Sequence, residues 1–358
     1  MINNFLNRIY FLKMLKKTLI LLVLAGSVFG QSIHEKHLKN VRQLTFGGNN
    51  AEAYFSRDDK KFSFQSDFKA WGLECDQIFY MNTNSDAKIK KPKMISTGFG
   101  RTTCSFFMPN GKDVLFASTH ENGGHSCPMP PEMGKKYLWA VYESFDIYVS
   151  DLKGKIKKQL TNTPGYDAEA TVSPDGKSIV FTSTRNGDLD LYIMDIDGKN
   201  VRQVTNVLGY DGGAFFSPDS KKLVFRASRF NSEAEKEEYK ENLKKNLVAP
   251  TNMEIFTCNV DGSDLKQITN LGKANWAPYF TPKGDKIIFA SNHHSPRGYD
   301  FQLYMINTDG TGLTQITTES NFNAFPMFSY DGKKLIFSSN RNNGGTRDTN
   351  LFIADWVD

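Results

Sequence analysis

The fold class that the sequence predicts is all-β: a six-bladed β-propeller of four-stranded antiparallel blades. Three observations predict it. A Q-L-T-like position recurs as Leu44, Ile95, Leu160, Val204, Ile268 and Ile316. An S-P-D-G-like turn opens at Ser56, Met108, Ser173, Ser217, Thr281 and Ser329, twelve residues on in the first copy and thirteen in the others. Between the landmarks lie short runs rich in β-branched and aromatic residues, with no helical period. A four-strand unit repeating every 40–50 residues or so is the signature of a propeller blade.

The copy from Lys155 to Asn200 shows the unit best. A short strand ends in Q-L-T, a polar loop follows, and an apolar strand runs into S-P-D-G. Pro174 presets φ for the turn and Gly176 tolerates its end, so Ser173–Gly176 reads as a hairpin turn. Ser178–Ser183 and Leu191–Asp195 supply two further strands. The middle strands of successive units (VLFAS, SIVFTS, KLVFRAS, KIIFAS, KLIFSS) are near-continuous apolar runs, as strands covered on both faces require.

In chain order, residues 1–30 read as a cleavable signal peptide. Lys16 and Lys17 precede the apolar run Leu19–Ala25, and Val28 and Gly30 place small residues before a cut near Gly30. The run is too short to span a bilayer, so no stable membrane insertion is expected once the leader is gone. Residues 31–40 read as a short tail and 41–358 as the propeller. The final unit lacks a fourth strand and the first has one to spare, so Val41–Thr45 is expected to complete the sixth blade and close the ring. Three insertions leave between second and third strands: Asp67–Asp76 in blade one, His120–Ser144 in blade two and Asn231–Val248 in blade four. The last predicts a helix, with Ser232 and Glu235 as a capping box and Tyr239, Leu243 and Leu247 as its apolar stripe. Tyr137, Trp139 and Tyr142 imply that the blade-two insertion packs on something.

Charge excludes one class of function. The formal net charge is +5, but Arg8, Lys13, Lys16 and Lys17 fall in the leader, which leaves about +1 for the rest. No clustered basic face remains, so no nucleic-acid partner is expected. Of the four cysteines, Cys104 opens an inner strand and Cys127 sits in a loop at the same end of that blade, so a Cys104–Cys127 disulfide is expected. Cys75 stays unassigned, and Cys258 reads as a core thiol.

R-Q-[LVI]-T, S-P-D-G and [DE]-[LI]-[YF]-x-M-[DN]-x-D-G, seen as KKQLT…SPDG…DLYIMDIDG and LKQIT…TPKG…QLYMINTDG, resemble the TolB-like, WD40-like propeller repeat. The resemblance covers residues 41–358. It implies an exported propeller whose mouth binds envelope proteins or peptides. Only residues 31–40 stand where that family's amino-terminal α/β domain would.

The columns point to a candidate site at the insertion-bearing face. Six residues before each turn stand Asn50, Thr102, Asp167, Asp211, Asn275 and Asn323; two positions later come Glu52, Cys104, Glu169, Gly213, Ala277 and Phe325. Beyond the second strands stand Phe68, His120, Arg185, Arg229, His293 and Arg341. The expected ligand-binding set is Asp167, Glu169, Arg185, Asp211, Arg229, His120, His293, Arg341, Asn275 and Asn323, with the arginines as forked donors for carboxylates. No catalytic residue, metal or cofactor is expected. The leading reading is a periplasmic or secreted, monomeric interaction module for an envelope protein, peptide or small anionic ligand. The alternative is a metal-dependent or acid–base lyase or hydrolase acting on carbohydrate or peptide at the same mouth, with His120 and His293 beside the acids.

Overall fold

The computed structural model describes residues 35–88, 91–134 and 136–358, so the signal peptide expected over residues 1–30 lies outside the described residues. From His37 onward, the described residues form six four-stranded antiparallel sheets. Blade one is Asn50–Phe55, Lys61–Ser66, Gln77–Asn82 and Lys93–Met94, and blades two to five repeat that meander. Inner strands of neighbouring blades pack in a closed cycle, with blade one against blade six.

The sixth blade closes as the unit count requires. Asn323–Phe328, Lys334–Ser339 and Asn350–Trp356 are completed by Leu38–Gln43, which pairs antiparallel with Asn350–Trp356. The closing strand starts three residues earlier than Val41, so part of the expected tail belongs to the sheet. His37 stacks on Trp356 at 5.1 Å and extends the clasp.

Each middle strand buries a phenylalanine completely at the same position, Phe64, Phe116, Phe181, Phe225, Phe289 and Phe337, and blade one adds Phe62. At about 1.5–3 kcal/mol per buried side chain, this column explains the apolar runs. The threonine of Q-L-T has its own task. Thr45, Thr161, Thr205, Thr269 and Thr317, with Ser96 in blade one, accept a third-strand N–H at 2.8–2.9 Å. Each hydroxyl donates in turn to Asn350, Asp146, Asp190, Glu254, Gln302 or Gln77, so outer and third strands are latched side chain to backbone. The repeat motif is therefore packing and latch chemistry.

The helix is shorter than its insertion, Glu233–Leu243, and Ser232 caps it by accepting the Glu235 N–H at 3.3 Å. Leu247 leaves the expected stripe. Leu247–Val248 instead pairs with Trp139–Ala140, joining the insertions of blades four and two in a small sheet. Tyr137 differs from its expectation too: it is exposed, and only Trp139 and Tyr142 pack. No helix among the described residues is long and apolar enough to cross a membrane.

The disulfide is corrected. Cys127 pairs with Cys75, and Cys104 is a buried free thiol like Cys258. The reason is a backbone kink: Cys104 has φ 50 at a bulge and lines the central channel, away from the loop carrying Cys127. Cys75, in the neighbouring blade-one insertion, is the thiol that loop meets.

Candidate site at the roofed channel

Every inner strand carries a bulge at its third residue, where two residues oppose one on the partner strand. The bulged residues are Glu52, Cys104, Glu169, Gly213, Ala277 and Phe325, with φ between 49 and 61. Five carry side chains in left-handed backbone, at a cost of roughly 1 kcal/mol or more each. All six line one central cavity of about 20 Å³, together with Tyr54, Thr171, Phe215 and Arg226. That space is about what one water needs.

Glu169 is the most heavily bonded of the six. It accepts from Thr182 Oγ1 at 2.8 Å, Tyr210 Oη at 2.7 Å and the Gly213 N–H at 3.0 Å, and it pairs with Arg226. Arg226 also donates to Tyr210 Oη at 2.6 Å, and its guanidinium lies 5.3 Å from the ring centres of both Trp139 and Tyr210. Burial would release the Arg226 proton, but Glu169 reverses that and holds the pKa above its usual value. A Cβ on Gly213 would come within 2.2 Å of the guanidinium, so glycine at this bulge leaves room for Arg226 where it stands.

Glu52 faces the same space with less support. Burial pushes its carboxyl up to about 7, against a hydrogen bond from the Cys104 side chain that lowers it. Its Oε2 and the Nε of Arg226 have no hydrogen-bond partner among the described residues. Burial also raises the Cys104 thiol well above its usual range.

Trp139 roofs this cluster. Its ring lies 5.1 Å from Trp276, which is fixed by a 2.8 Å bond from Nε1 to the Pro250 carbonyl and by stacking on Phe301 at 4.3 Å. The insertions of two non-adjacent blades thus meet over the mouth.

The expected ring of Asp, Asn, Arg and His is present, but its arginines and histidines are bonded within their own blades, while Asn275 and Asn323 also reach the preceding blade. Arg185 reaches both Asp167 oxygens at 3.0 Å, Arg229 grips Asp211 at 2.6 and 3.2 Å, and Arg341 donates to Asn323 at 3.0 Å. Each guanidinium also covers an aromatic ring of its own blade: Phe181 and Tyr192, Phe256, or Phe337 and Phe352. His120 and His293 bond Ser118 at 2.8 Å and Ser291 at 2.9 Å and lean on Tyr148 and Tyr304; burial lowers both pKa values. Asn275 bridges Met253 O, Glu254 and Ser291. Among the described residues, no three His, Cys, Asp or Glu gather as metal ligands. Of the expected set, Glu169 alone lines the central cavity. Glu52 stands in the sequence columns but outside the expected binding set, Trp139 is expected only to pack, and Tyr210 and Arg226 are not singled out, although Arg226 is the one charge inside an otherwise apolar middle-strand run.

Residues 134–246 match the TolB beta propeller domain. An uncharacterized protein of Agrobacterium fabrum is 30% identical over 147 residues, which cover 41% of this chain and 28% of that protein. A solved structure assigned to TolB from Agrobacterium tumefaciens aligns with TM-score 0.58 at 21% identity, over 87% of this chain and 91% of that one. TolB from Acinetobacter baumannii aligns with TM-score 0.52 at 19% identity, over 86% of this chain and 63% of that one. An oligogalacturonate lyase from Vibrio parahaemolyticus shares the fold at TM-score 0.51 and 12% identity, over 88% and 93%. Repeats and sheet order make the chain a six-bladed β-propeller, and its residues 134–246 are similar to the TolB beta propeller domain.

Proposed function

We propose that this protein is an exported, monomeric, non-catalytic binding module of the cell envelope that holds a peptide or protein segment at the insertion-bearing mouth of its channel. One observation carries the reading: the blade-two and blade-four insertions pair with each other and set Trp139 over Arg226, Glu169 and Glu52. Function in propellers is grafted onto one face of a rigid scaffold, and here every long insertion leaves by the same face. The leader-like residues 1–30 and the TolB likeness support export. A small anionic ligand has weaker support, because Arg185, Arg229 and Arg341 already face an acid or amide of their own blade. In this reading Asp167, Asp211, Asn275, Asn323, His120 and His293 brace the rim, and Glu169 and Arg226 form the floor.

The experiment places a photo-crosslinking residue at exposed Tyr137, and separately at Lys177 on the opposite face, before exposure to envelope extract. A polypeptide captured from position 137 and not from 177 is expected. Equal capture from both positions, or none from either, defeats the reading.

A second reading, acid–base catalysis, is favoured by a single feature, Glu52 held protonated to about pH 7 beside Glu169. It requires that turnover of some oligosaccharide or peptide be detected and be abolished by Glu52→Gln.

A further inference from the structure

One feature that the channel reading leaves unused is a cavity of about 390 Å³ between the helix Glu233–Leu243 and the third and fourth strands of blade four. Small-molecule sites run from about 300 to 1,000 Å³.

One side is aromatic and held in place. Phe230, half-buried, lies 5.0 Å from Tyr239 ring to ring, and the Tyr239 hydroxyl donates to Asp188 of blade three. Four lining residues, Asn231, Asn242, Asn252 and Asn270, carry carboxamides that make no hydrogen bond to the described residues. A carboxamide offers donors and an acceptor in one plane, which matches neighbouring hydroxyls that each donate and accept.

Charge narrows the class. Arg229 at the edge is neutralised by Asp211, while Glu235, Glu238 and Glu254 also line the space. An anion would therefore meet net negative potential. Glu238 is balanced by Lys136, while Glu235 accepts the Asn231 N–H and Glu254 accepts from Thr269 and Gly272, and the free lone pairs of these two acids serve as further acceptors for hydroxyls.

We propose that this cavity is a binding site for a neutral saccharide, a mono- or disaccharide unit, with an apolar sugar face on Phe230 and its hydroxyls on the asparagine side. It is independent of the channel reading, since none of the residues lining the central cavity lines it.

The test screens the purified protein on an array of neutral and uronate-bearing oligosaccharides, then titrates the best array hit calorimetrically. Wild type should retain neutral glycans and bind uronate-bearing analogues of the same length more weakly. The Asn242→Ala/Asn270→Ala double variant, which removes no internal side-chain bond and alters no left-handed backbone position, should melt like the parent and bind about tenfold more weakly, as two lost hydrogen bonds imply. No retained glycan, undiminished binding by the double variant, or equal affinity for uronates would overturn the proposal.

Discussion

Arg226, from the second strand of blade four, lies 5.3 Å from the ring centre of Trp139, which reaches it from the insertion of blade two. Beneath that contact the same guanidinium is paired with Glu169 of blade three. Three blades are thus tied at the axis by one side chain, and the predictions start there.

Removing the cation while leaving the acid should be costly. Arg226→Met strands Glu169 as a buried charge, for which about 3–5 kcal/mol is expected. Adding Glu169→Gln should recover a substantial part of the loss. Urea unfolding of the wild type, both single variants and the double variant measures this; strictly additive losses would mean that the two residues do not act as a pair.

Trp139→Ala should open the channel from above. Cys104 lines the cavity beneath and serves as an internal reporter, with Cys258→Ser in the background to silence the other free thiol. Maleimide labelling at fixed pH should run at least about tenfold faster in the tryptophan variant while most of the fold persists. Unchanged labelling would show that Trp139 does not close the channel.

Glu52 makes stability depend on pH with a definite sign. Its carboxyl is raised from the usual 4.5 to about 7 in the folded protein, so the fold holds this proton more tightly than the unfolded chain does. The contribution is whole below the unfolded value and is lost as pH rises from about 4.5 through about 7. Glu52→Gln stays neutral throughout. It should match wild type near pH 4 and exceed it by about 3 kcal/mol above pH 8. Melting curves at both pH values check this, and a variant less stable at high pH would contradict it.

Deleting Leu38–Gln43 should leave the Asn350–Trp356 strand with a bare edge in an open ring. Aggregation or a broad, early melt is expected by size-exclusion chromatography and calorimetry. Thr45→Val is the gentler version: it removes the latch to Asn350 and the Leu351 N–H, for a loss of about 1–3 kcal/mol. A truncated protein that melts like its parent ends the closed-ring account.

The Cys75–Cys127 bridge spans 52 residues of sequence and joins the insertions of blades one and two. Cys75→Ser/Cys127→Ser should lose about 2–4 kcal/mol. Cys104→Ser should leave the disulfide intact, which intact-mass measurement with and without reductant will show.

Much of this molecule was determined locally. Turn chemistry, the alternation of short apolar runs and the constant offset between landmarks depend on residues close in sequence. They specify six sheets, the closing strand and the Ser232 cap without any long-range information. The in-blade pairs were within reach as well: Asp167 and Arg185, Asp211 and Arg229, and Asn323 and Arg341 are each 18 residues apart, a spacing that sets them on adjoining strands of one sheet.

What only the tertiary structure decided are contacts between elements whose separation in sequence has no period. Cys127 meets Cys75 because the bulge turns Cys104 inward. Trp139 meets Arg226 and Trp276 because two loops of irregular length pair across the mouth, and Glu52 joins Glu169 because six equivalent kinks converge on one axis. A repeat encodes each sheet by short-range chemistry; where the sheets' exceptions meet is set by closing the ring, and that geometry exists only once all six blades are in place.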